Sequence, residues 1–300
     1  MQKKAIITGI EGFIGRNLNN YLAGQGIEVF GIDRNTVSAN NMYKIDLSNT
    51  DSKLSELFEQ IGPDYIFHAS GVISSHNIQD YYHSNVIGTL NLFEALRKCT
   101  SCNPKIISIG SSAEYGMVSE DDLPITEDYI ERPYNHYGIS KLAQTKICLE
   151  YASTYNLNVV IVRLFNVLGT EASNNLAVGT FINQVKNARD GDYISVGNLE
   201  SKRDYIDIFD AVELIWRLAN SEEKNIVNIC SGQATRMADI LHLIIKFSGK
   251  RLLIKEDPER IRSNDILLHF GSNDKLNHSL GEPYTFTSIQ DTINRFFEME

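Results

Sequence analysis

The stretch KKAIITGIEGFIGRNLNNYLAGQGIEVFGID, residues 3–33, decides the fold of this chain. It reads as a short apolar strand, a glycine-rich turn, a helix and a second strand at residues 29–32. In the GxxGxxG turn, Gly9 allows a sharp bend, Gly12 lets a pyrophosphate approach the backbone, and Gly15 lets the helix pack closely on the strand. The free N–H groups at the start of the helix favour phosphate binding. The stretch therefore predicts a dinucleotide-binding unit.

The acid at the end of the second strand bears on the choice of dinucleotide. Asp33 lies about 20 residues beyond the glycines, where a carboxylate can bind the hydroxyls of the adenosine ribose. A carboxylate there would repel a 2′-phosphate, whereas the neighbouring Arg34 could pair with that phosphate or stack on the adenine. The sequence therefore favours NAD(H) as the cofactor, with NADP(H) as the alternative.

Composition limits the classes of function. The chain has 300 residues, 42% of them hydrophobic and 22% charged, which is ordinary for a soluble enzyme. Its net charge of −10 argues against a binder of nucleic acid or of membrane surfaces, and no apolar run reaches the length of a membrane span. The histidines show no ligand spacing. Cys99 and Cys102 form CxxC without a second pair of metal-ligand spacing, and their place at a helix end before Pro104 fits ordinary thiols, with a redox or metal role as the alternative. We therefore expect a cytoplasmic protein without a bound metal.

Short apolar runs alternate with helical patterns up to about residue 165, as a doubly wound sheet requires. After Asp33, the predicted strands are residues 65–68, 105–109 and 159–163, and the predicted helices lie near residues 51–60, 81–98, 137–155, 180–189, 208–220 and 236–248. We expect an α/β fold in which residues 1–165 form a Rossmann-type NAD(P)-binding domain with a parallel sheet. The chain should return to this sheet near residues 203–230, and residues 166–300 should form mainly a smaller, interleaved substrate lobe.

The segment YGISK places Tyr137 and Lys141 one helical turn apart on one face. An ammonium near a phenol lowers the pKa of the phenol, so the tyrosine can exchange a proton with a carbonyl oxygen while hydride moves at the carbon. Ser111 follows a buried strand at the carboxyl edge of the sheet, where its hydroxyl can bond the reacting oxygen. Turn formation is the alternative role for Ser111 and also for Ser112, which we otherwise expect to contact the substrate.

Several motifs in one order carry a resemblance to a known family. TGIEGFIG, YGISK, the RLFNVLG segment from Arg163 and the RDYID segment from Arg203 resemble motifs of the extended short-chain dehydrogenases/reductases, the NAD-dependent epimerase/dehydratase group that acts on nucleotide sugars. The resemblance spans most of the chain and implies a homodimer. Besides the glycines and acid above, it implies cofactor contacts from Phe13, Ile14, Asp46, Leu47, Ala69, Ser70, Gly71, Asn85, Tyr137 and Lys141.

The same resemblance implies contacts with a nucleotide-sugar substrate. The expected contact residues are Ser112, Glu114, Asn166, Arg203 and Arg262. The two arginines suit a pyrophosphate because the guanidinium fork matches phosphate oxygens, although surface ion pairs are the alternative role for them.

The segment before Tyr115 separates the possible reactions. Sugar-nucleotide 4,6-dehydratases carry a glutamate where this chain has Ala113, and a methyl group cannot abstract a proton. SSAEYG is instead similar to the segment of GDP-4-keto-6-deoxy-mannose reductases, and DPERIRSND at residues 257–265 resembles the GDP-mannose dehydratase and reductase branch. The resemblance therefore implies a nucleotide-sugar 4-ketoreductase, with GDP favoured. A C4 epimerase with tightly held NAD remains the enzyme alternative, and a non-catalytic NAD(P) sensor is the alternative from another class.

Overall fold

The computed structural model of the chain describes residues 2–38, 40–49, 53–170, 177–260 and 266–298. The strands are β1 (Lys4–Thr8), β2 (Glu28–Asp33), β3 (Met42–Lys44), β4 (Tyr65–His68), β5 (Lys105–Ser111), β6 (Val159–Leu164), β7 (Asn166–Leu168), β8 (Tyr193–Val196), β9 (Lys202–Asp207), β10 (Ile226–Ile229), β11 (Ala234–Arg236), β12 (Leu253–Glu256) and β13 (Leu268–His269). The helices are α1 (Phe13–Gly24), α2 (Lys53–Ile61), α3 (Ile78–Tyr82), α4 (Gly88–Lys98), α5 (His136–Tyr155), α6 (Ala177–Asn187), α7 (Ile208–Ala219), α8 (Met237–Ser248), α9 (Asp274–Leu280) and α10 (Ile289–Glu298). A π-helical turn joins α3 to α4, and a short 3₁₀ turn, Ser112–Glu114, follows β5.

Seven parallel strands form the main sheet, in the order β10-β6-β5-β4-β1-β2-β3. The strands predicted from apolar runs in the first 165 residues all lie in this sheet. The edge strand β3 was not predicted, because a run of three residues is too short to show a period. Strand β10 was not predicted as a strand, but it lies within residues 203–230, where the sequence predicts that the chain returns to the sheet. The arrangement confirms the predicted Rossmann-type α/β fold.

Apolar helix faces cover both sides of the main sheet. On one side Leu18 of α1 packs in one cluster with Leu214 of α7, and both are fully buried. On the other side Phe58 of α2, Phe93 of α4 and Tyr151 of α5 share a second cluster. Because both faces are covered, the strands read as continuous apolar runs rather than as alternating ones.

Strand β9 organises the C-terminal part of the chain. It pairs in parallel with β7 and β13 and antiparallel with β11, while β8 and β12 form a separate two-stranded sheet. Phe181 of α6, Ile240 of α8 and Ile293 of α10 share the apolar cluster of this part. Helix α7 and strand β10 come later than residue 165, yet they join the core of the main sheet. The division into two lobes at residue 165 stays a prediction.

Two further features concern the cysteines and the membrane. Cys99 and Cys102, for which the sequence predicts ordinary thiols, are disulfide-bonded at the end of α4. Cys148 and Cys230 are free thiols and are buried. Among the helices that the structure describes, none combines the length and the apolar character needed to cross a membrane.

The glycine-rich turn packs so closely that side chains are excluded from it. Gly9 has a φ of +72°, and a Cβ there would lie 2.6 Å from the Cα of Ser70. A Cβ on Gly15 would lie 2.1 Å from the carbonyl oxygen of Gly9, so α1 starts in direct contact with the turn. These approaches are the physical reason for the glycines that the sequence analysis singles out.

We expect Gly15→Ala to lower the free energy of unfolding by about 2 kcal/mol, because the added methyl overlaps a backbone carbonyl and overpacking is destabilising by that order. Gly24→Ala at the other end of α1 is the matched control, since a Cβ there meets no neighbouring atom. That control should be neutral or stabilising by up to about 1 kcal/mol. Urea unfolding of the two variants measures the difference, and equal midpoints would contradict the close packing.

Candidate active site

A buried chain of polar side chains joins the ends of β1 and β4 to α4. The Oγ1 of Thr89 donates to the carbonyl of Asn85 at 2.7 Å, so its lone pair accepts from Nε2 of His68 at 2.9 Å. The bare Nδ1 of His68 then accepts from Oγ1 of Thr8 at 2.7 Å. Burial, and secondarily the charge of Lys141, lowers the pKa of His68 to about 3, so this imidazole stays neutral. These hydrogen-bonded side chains therefore have one defined arrangement of donors and acceptors.

The same polar chain fixes the loop after β4, which carries the predicted cofactor contacts at residues 69–71. The backbone N–H of Ala69 donates to the carbonyl of Thr8 at 3.1 Å. The backbone N–H of Ser70 donates to the hydroxyl of Thr8 at 3.4 Å. A Cβ on Gly71 would lie 2.9 Å from Oδ1 of Asn85, so a larger residue here would have to displace the Asn85 amide.

Asn85 carries the connection onward to α5. Its Oδ1 accepts from the N–H of Val72 at 2.8 Å, and its Nδ2 donates to Oγ of Ser140 at 2.9 Å. Ser140 in turn donates to the carbonyl of Tyr137 at 2.8 Å. The loop beside the glycine-rich turn and the helix that carries Tyr137 are therefore one hydrogen-bonded unit.

The start of α1 has the features of a phosphate site. Gly12 is its N-cap residue, with no capping side chain and no acidic residue in the first turn, and Phe13 and Ile14 are the first two residues of the helix. A Cβ on Gly12 would lie 3.0 Å from the carbonyl oxygen of Gly9. The N-terminal N–H groups are thus open to an anion, which fits the pyrophosphate of a dinucleotide.

Two carboxylates, not one, lie at the end of β2. Asp33 accepts from the N–H of Glu11 at 3.3 Å and from that of Asn35 at 2.9 Å. Glu11 accepts from Oγ1 of Thr36 at 3.0 Å, which fixes its carboxylate on the same side. Arg34 is exposed. Sequence reasoning missed Glu11, although it is one of the variable positions of the GxxGxxG turn.

The predicted pair Asp46 and Leu47 lies in the loop after β3. The carboxylate of Asp46 accepts from the N–H and the hydroxyl of Ser48 at 3.0 and 2.8 Å. Leu47 is buried, and its carbonyl accepts from Nδ2 of Asn91 at 2.8 Å. These bonds give the loop a defined shape at the same edge of the sheet.

The structure brings Ser111 and Tyr137 together at the carboxyl edge of β5. Ser111 is the N-cap of the Ser112–Glu114 turn, and its hydroxyl accepts from the N–H of Ala113 at 3.2 Å. The Ser111 side chain opposes the rise in the pKa of Tyr137 that burial of the phenol causes. A Cβ on Gly138 would lie 2.5 Å from the carbonyl oxygen of Ala113, so α5 begins in contact with this turn.

Lys141 makes different contacts from those that the sequence predicts. Its Nζ donates to the carbonyl of Ile109 and, at 2.6 Å, to Oε1 of Gln144, whose Nε2 donates to Oγ of Ser108 at 3.0 Å. Burial lowers the pKa of Lys141 to about 8 and raises that of Tyr137 to about 12. The prediction that Lys141 lowers the pKa of Tyr137 is therefore wrong for this structure, because burial dominates and the ammonium is held by other oxygens. Sequence reasoning missed Gln144.

Glu114 does not face a substrate. It is fully buried, and its carboxylate accepts from the N–H of Ser111 at 2.8 Å, from the hydroxyl of Thr145 at 2.8 Å and from Nε of Arg163 at 2.9 Å. The structure therefore does not support the predicted substrate contact, because internal donors hold the carboxylate behind Ser111.

The remaining predicted substrate residues lie near strand β9 and the turn after β5. Ser112 opens the 3₁₀ turn and is buried. Asn166 of β7 donates from Nδ2 to the carbonyl of Asp204 at 2.9 Å, and Arg203 of β9 is partly exposed. Arg262 lies outside the described residues. The substrate roles of these residues stay predictions.

Comparison with known proteins places the chain in a family. Residues 5–230 match the model of the NAD dependent epimerase/dehydratase family. The chain is 31% identical over 299 residues to GDP-6-deoxy-D-talose 4-dehydrogenase of Aggregatibacter actinomycetemcomitans, covering 98% of this chain and 97% of the relative. It is 29% identical over 289 residues to GDP-6-deoxy-D-mannose reductase of Pseudomonas aeruginosa, covering 94% and 92% of the two.

A solved structure agrees with this assignment. RMD from Pseudomonas aeruginosa, complexed with NADPH, superposes with a TM-score of 0.87 at 26% identity, over 99% of this chain and 98% of that one. The glycine-rich turn, the Ser111–Tyr137 pair and the family match cover the same part of the molecule. The chain is therefore an enzyme that belongs to the NAD dependent epimerase/dehydratase family.

Proposed function

We propose that this enzyme reduces the C4 ketone of a nucleotide-linked 4-keto-6-deoxy sugar, with GDP as the favoured nucleotide. The observation that carries the proposal is the placement of Ser111 at the carboxyl edge of β5, in the turn against which the start of α5, the helix that carries Tyr137, is packed. The names of two relatives, a reductase of GDP-6-deoxy-D-mannose and a 4-dehydrogenase of GDP-6-deoxy-D-talose, both denote alcohol–ketone chemistry on a GDP-linked 6-deoxy sugar.

In this proposal the side chains handle the proton at the C4 oxygen. NAD(P)H, when bound, supplies the hydride for the C4 carbon. Tyr137 begins as a neutral phenol, because burial raises its pKa to about 12, and it gives its proton to the oxygen. The Ser111 hydroxyl orients the same oxygen, and the Lys141 ammonium supplies a nearby positive charge when the phenolate forms.

The contacts of Glu114 argue against dehydration as the reaction. Removing water from a sugar needs a base for a carbon-bound proton, and Ala113 offers only a methyl group at the position where dehydratases carry glutamate. The neighbouring carboxylate of Glu114 is bonded to Ser111, Thr145 and Arg163. Reduction needs no such base, which supports the reductase over the dehydratase.

We favour NAD(H) as the cofactor of this enzyme. Asp33 accepts from the N–H of Glu11, and the Glu11 carboxylate accepts from Thr36 just beyond β2, so a 2′-phosphate at the end of this strand would meet negative charge. NADP(H) remains the alternative, because exposed Arg34 adjoins this place and because the structure of RMD from Pseudomonas aeruginosa is complexed with NADPH.

We further propose that the enzyme acts in the cytoplasm as a homodimer and that Arg203 and Arg262 bind the pyrophosphate of the substrate. Support for the dimer comes from two exposed isoleucines on neighbouring helical segments, Ile87 before α4 and Ile139 on α5. Exposed aliphatic side chains on adjacent helices suit a surface that a second subunit covers.

Tyr137→Phe should lower kcat for reduction of a GDP-linked 4-keto-6-deoxy sugar by roughly 100- to 10,000-fold, because the proton donor is lost while the ring remains. The measurement follows the absorbance of reduced nicotinamide, one equivalent per sugar. Tyr134→Phe, an exposed tyrosine near the start of α5, is the control. Unchanged turnover by Tyr137→Phe would refute the assignment. Interconversion of nucleotide hexoses without added cofactor would instead identify an epimerase.

The rate of reduction should fall above about pH 8, because burial lowers the pKa of Lys141 to about 8 and the ammonium loses its charge as pH rises through that value. A profile of kcat from pH 6 to pH 10 measures this decrease, the alkaline limb of the pH profile. Replacement of the exposed Lys224 by Met should leave the profile unchanged. A rate that stays constant to pH 10 would show that the charge of Lys141 is not needed.

Removing the two carboxylates at the end of β2 should improve the use of NADPH. Glu11→Gln and Asp33→Asn each keep the hydrogen-bond acceptors, and each should raise the ratio of kcat/KM for NADPH to that for NADH roughly tenfold. Glu28→Gln, at the opposite end of the same strand, is the matched control and should leave the ratio unchanged. Ratios that do not move in the first two variants would exclude this origin of the preference.

A further inference from the structure

A fully buried ion pair lies directly behind the proposed proton donor. Glu114 and Arg163 are both inaccessible to solvent, and Oε2 of Glu114 lies 2.9 Å from Nε of Arg163. The donors that reach the Glu114 carboxylate come from Ser111, Thr145 and Arg163, which is the pattern that an ionised carboxylate accepts. Burial raises the pKa of Glu114, and the charge of Arg163 opposes that rise. Burying two charges is costly, and apolar side chains of similar size often serve stability as well or better. The pair therefore calls for a reason other than stability.

The contact with Ser111 supplies that reason. Oε1 of Glu114 accepts the N–H of Ser111 at 2.8 Å while the Ser111 hydroxyl accepts from Ala113, so the two residues cap one another. A Cβ on Gly110 would lie 2.8 Å from Oε1 of Glu114, so glycine before Ser111 leaves room for the carboxylate. The position of Ser111 thus depends on the carboxylate.

Arg163 is held in its turn by groups other than Glu114. Its Nη2 donates to Oε1 of Glu131 at 2.8 Å, and its guanidinium lies 4.5 Å from the ring centroid of Tyr115. Glu131 is partly exposed and also pairs with Lys146 at 3.1 Å. The guanidinium of Arg163 therefore connects two carboxylates. The outer one, Glu131, does not contact Ser111, whereas the inner one, Glu114, does.

We propose that Glu114 is a positioning residue for the reduction: its carboxylate fixes the backbone of Ser111 so that the serine hydroxyl meets the phenol of Tyr137. This role rests on the proposed function, since it gives the buried pair a task in that reaction. Glu114 does not touch the substrate and acts only through Ser111 and through its charge.

The charge of Glu114 gives the role a measurable signature. The charged and titratable groups around it are Arg163 from β6, Tyr137, Lys141 and Cys148 from α5, Tyr115 from the turn after β5 and, beyond Arg163, Glu131. Burial lowers the pKa of Lys141, and the negative charge of Glu114 opposes this decrease. Loss of that charge therefore lowers the pKa of Lys141 further and moves the alkaline limb of the rate to lower pH.

The test compares Glu114→Gln with Glu131→Gln, since both remove a carboxylate partner of Arg163 and only the first touches Ser111. Glu114→Gln should lower kcat roughly 10- to 100-fold, with the KM for NADH changed by less than roughly threefold, and should move the alkaline limb about one pH unit lower. Glu131→Gln should change neither kcat nor the pH at which the rate falls. Equal effects of the two variants would assign the pair a structural role only and overturn the proposal.

A second variant covers the case in which Glu114→Gln leaves Arg163 unpaired and fails to fold. Glu114→Gln with Arg163→Met removes both buried charges, and a folded protein with the same loss of kcat supports the proposal. A folded double variant with the activity of the wild type overturns it.

A nuclear magnetic resonance measurement separates this proposal from the proposed function. The amide proton of Ser111 donates to a carboxylate in the wild type, so its signal should move upfield in Glu114→Gln and stay in place in Glu131→Gln. Absence of reductase activity in the wild type would refute the proposed function alone. An unmoved Ser111 signal in Glu114→Gln would overturn the positioning contact whether or not the enzyme reduces 4-keto sugars.

Discussion

The structure of the site depends on the neutral imidazole of His68, which bonds the hydroxyls of Thr8 and Thr89 in the interior of the molecule. Every polar group in this interior needs a partner, and a protonated imidazole would present a second donor where Thr8 now donates. Because His68 is neutral, the hydroxyl of Thr8 points at it, and the oxygen of Thr8 is free to accept from the N–H of Ser70. This tautomer therefore supports one of the bonds that hold the loop after β4, beside the backbone bond from Ala69 to Thr8 and the bond from Val72 to Asn85.

That loop and the glycine-rich turn constrain one another. Gly9 lies so close to the backbone of Ser70 that a Cβ on Gly9 would overlap it. A Cβ on Gly71 would likewise overlap the side chain of Asn85. Asn85 is tied through Ser140 to the carbonyl of Tyr137. The cofactor end and the catalytic end of the site are consequently positioned by one set of contacts, in which small residues allow the close approach and buried hydrogen bonds fix its direction.

The sequence predicts those parts of the site that depend on spacing along the chain. The glycine turn, Asp33 and the pair Tyr137 and Lys141 belong to this group, because a turn or one helical repeat determines their geometry. The buried ion pair of Glu114 could not be predicted, since its partner Arg163 lies 49 residues away, on the neighbouring strand β6. The partner of Lys141 could not be predicted either, because burial and a carbonyl of β5 compete with the phenol for the ammonium.

The protonation states of the site bear on the direction of the reaction. With the pKa of Tyr137 raised to about 12 by burial, only roughly one phenol in 100,000 is ionised at pH 7. Lys141, whose pKa is lowered to about 8, is still mostly charged at that pH. In the proposed function, a neutral phenol is the state that gives a proton to a ketone oxygen, whereas oxidation of the alcohol would first require the phenol to lose its proton. In the proposed reduction, burial at this edge of the sheet therefore keeps the proton on the donor.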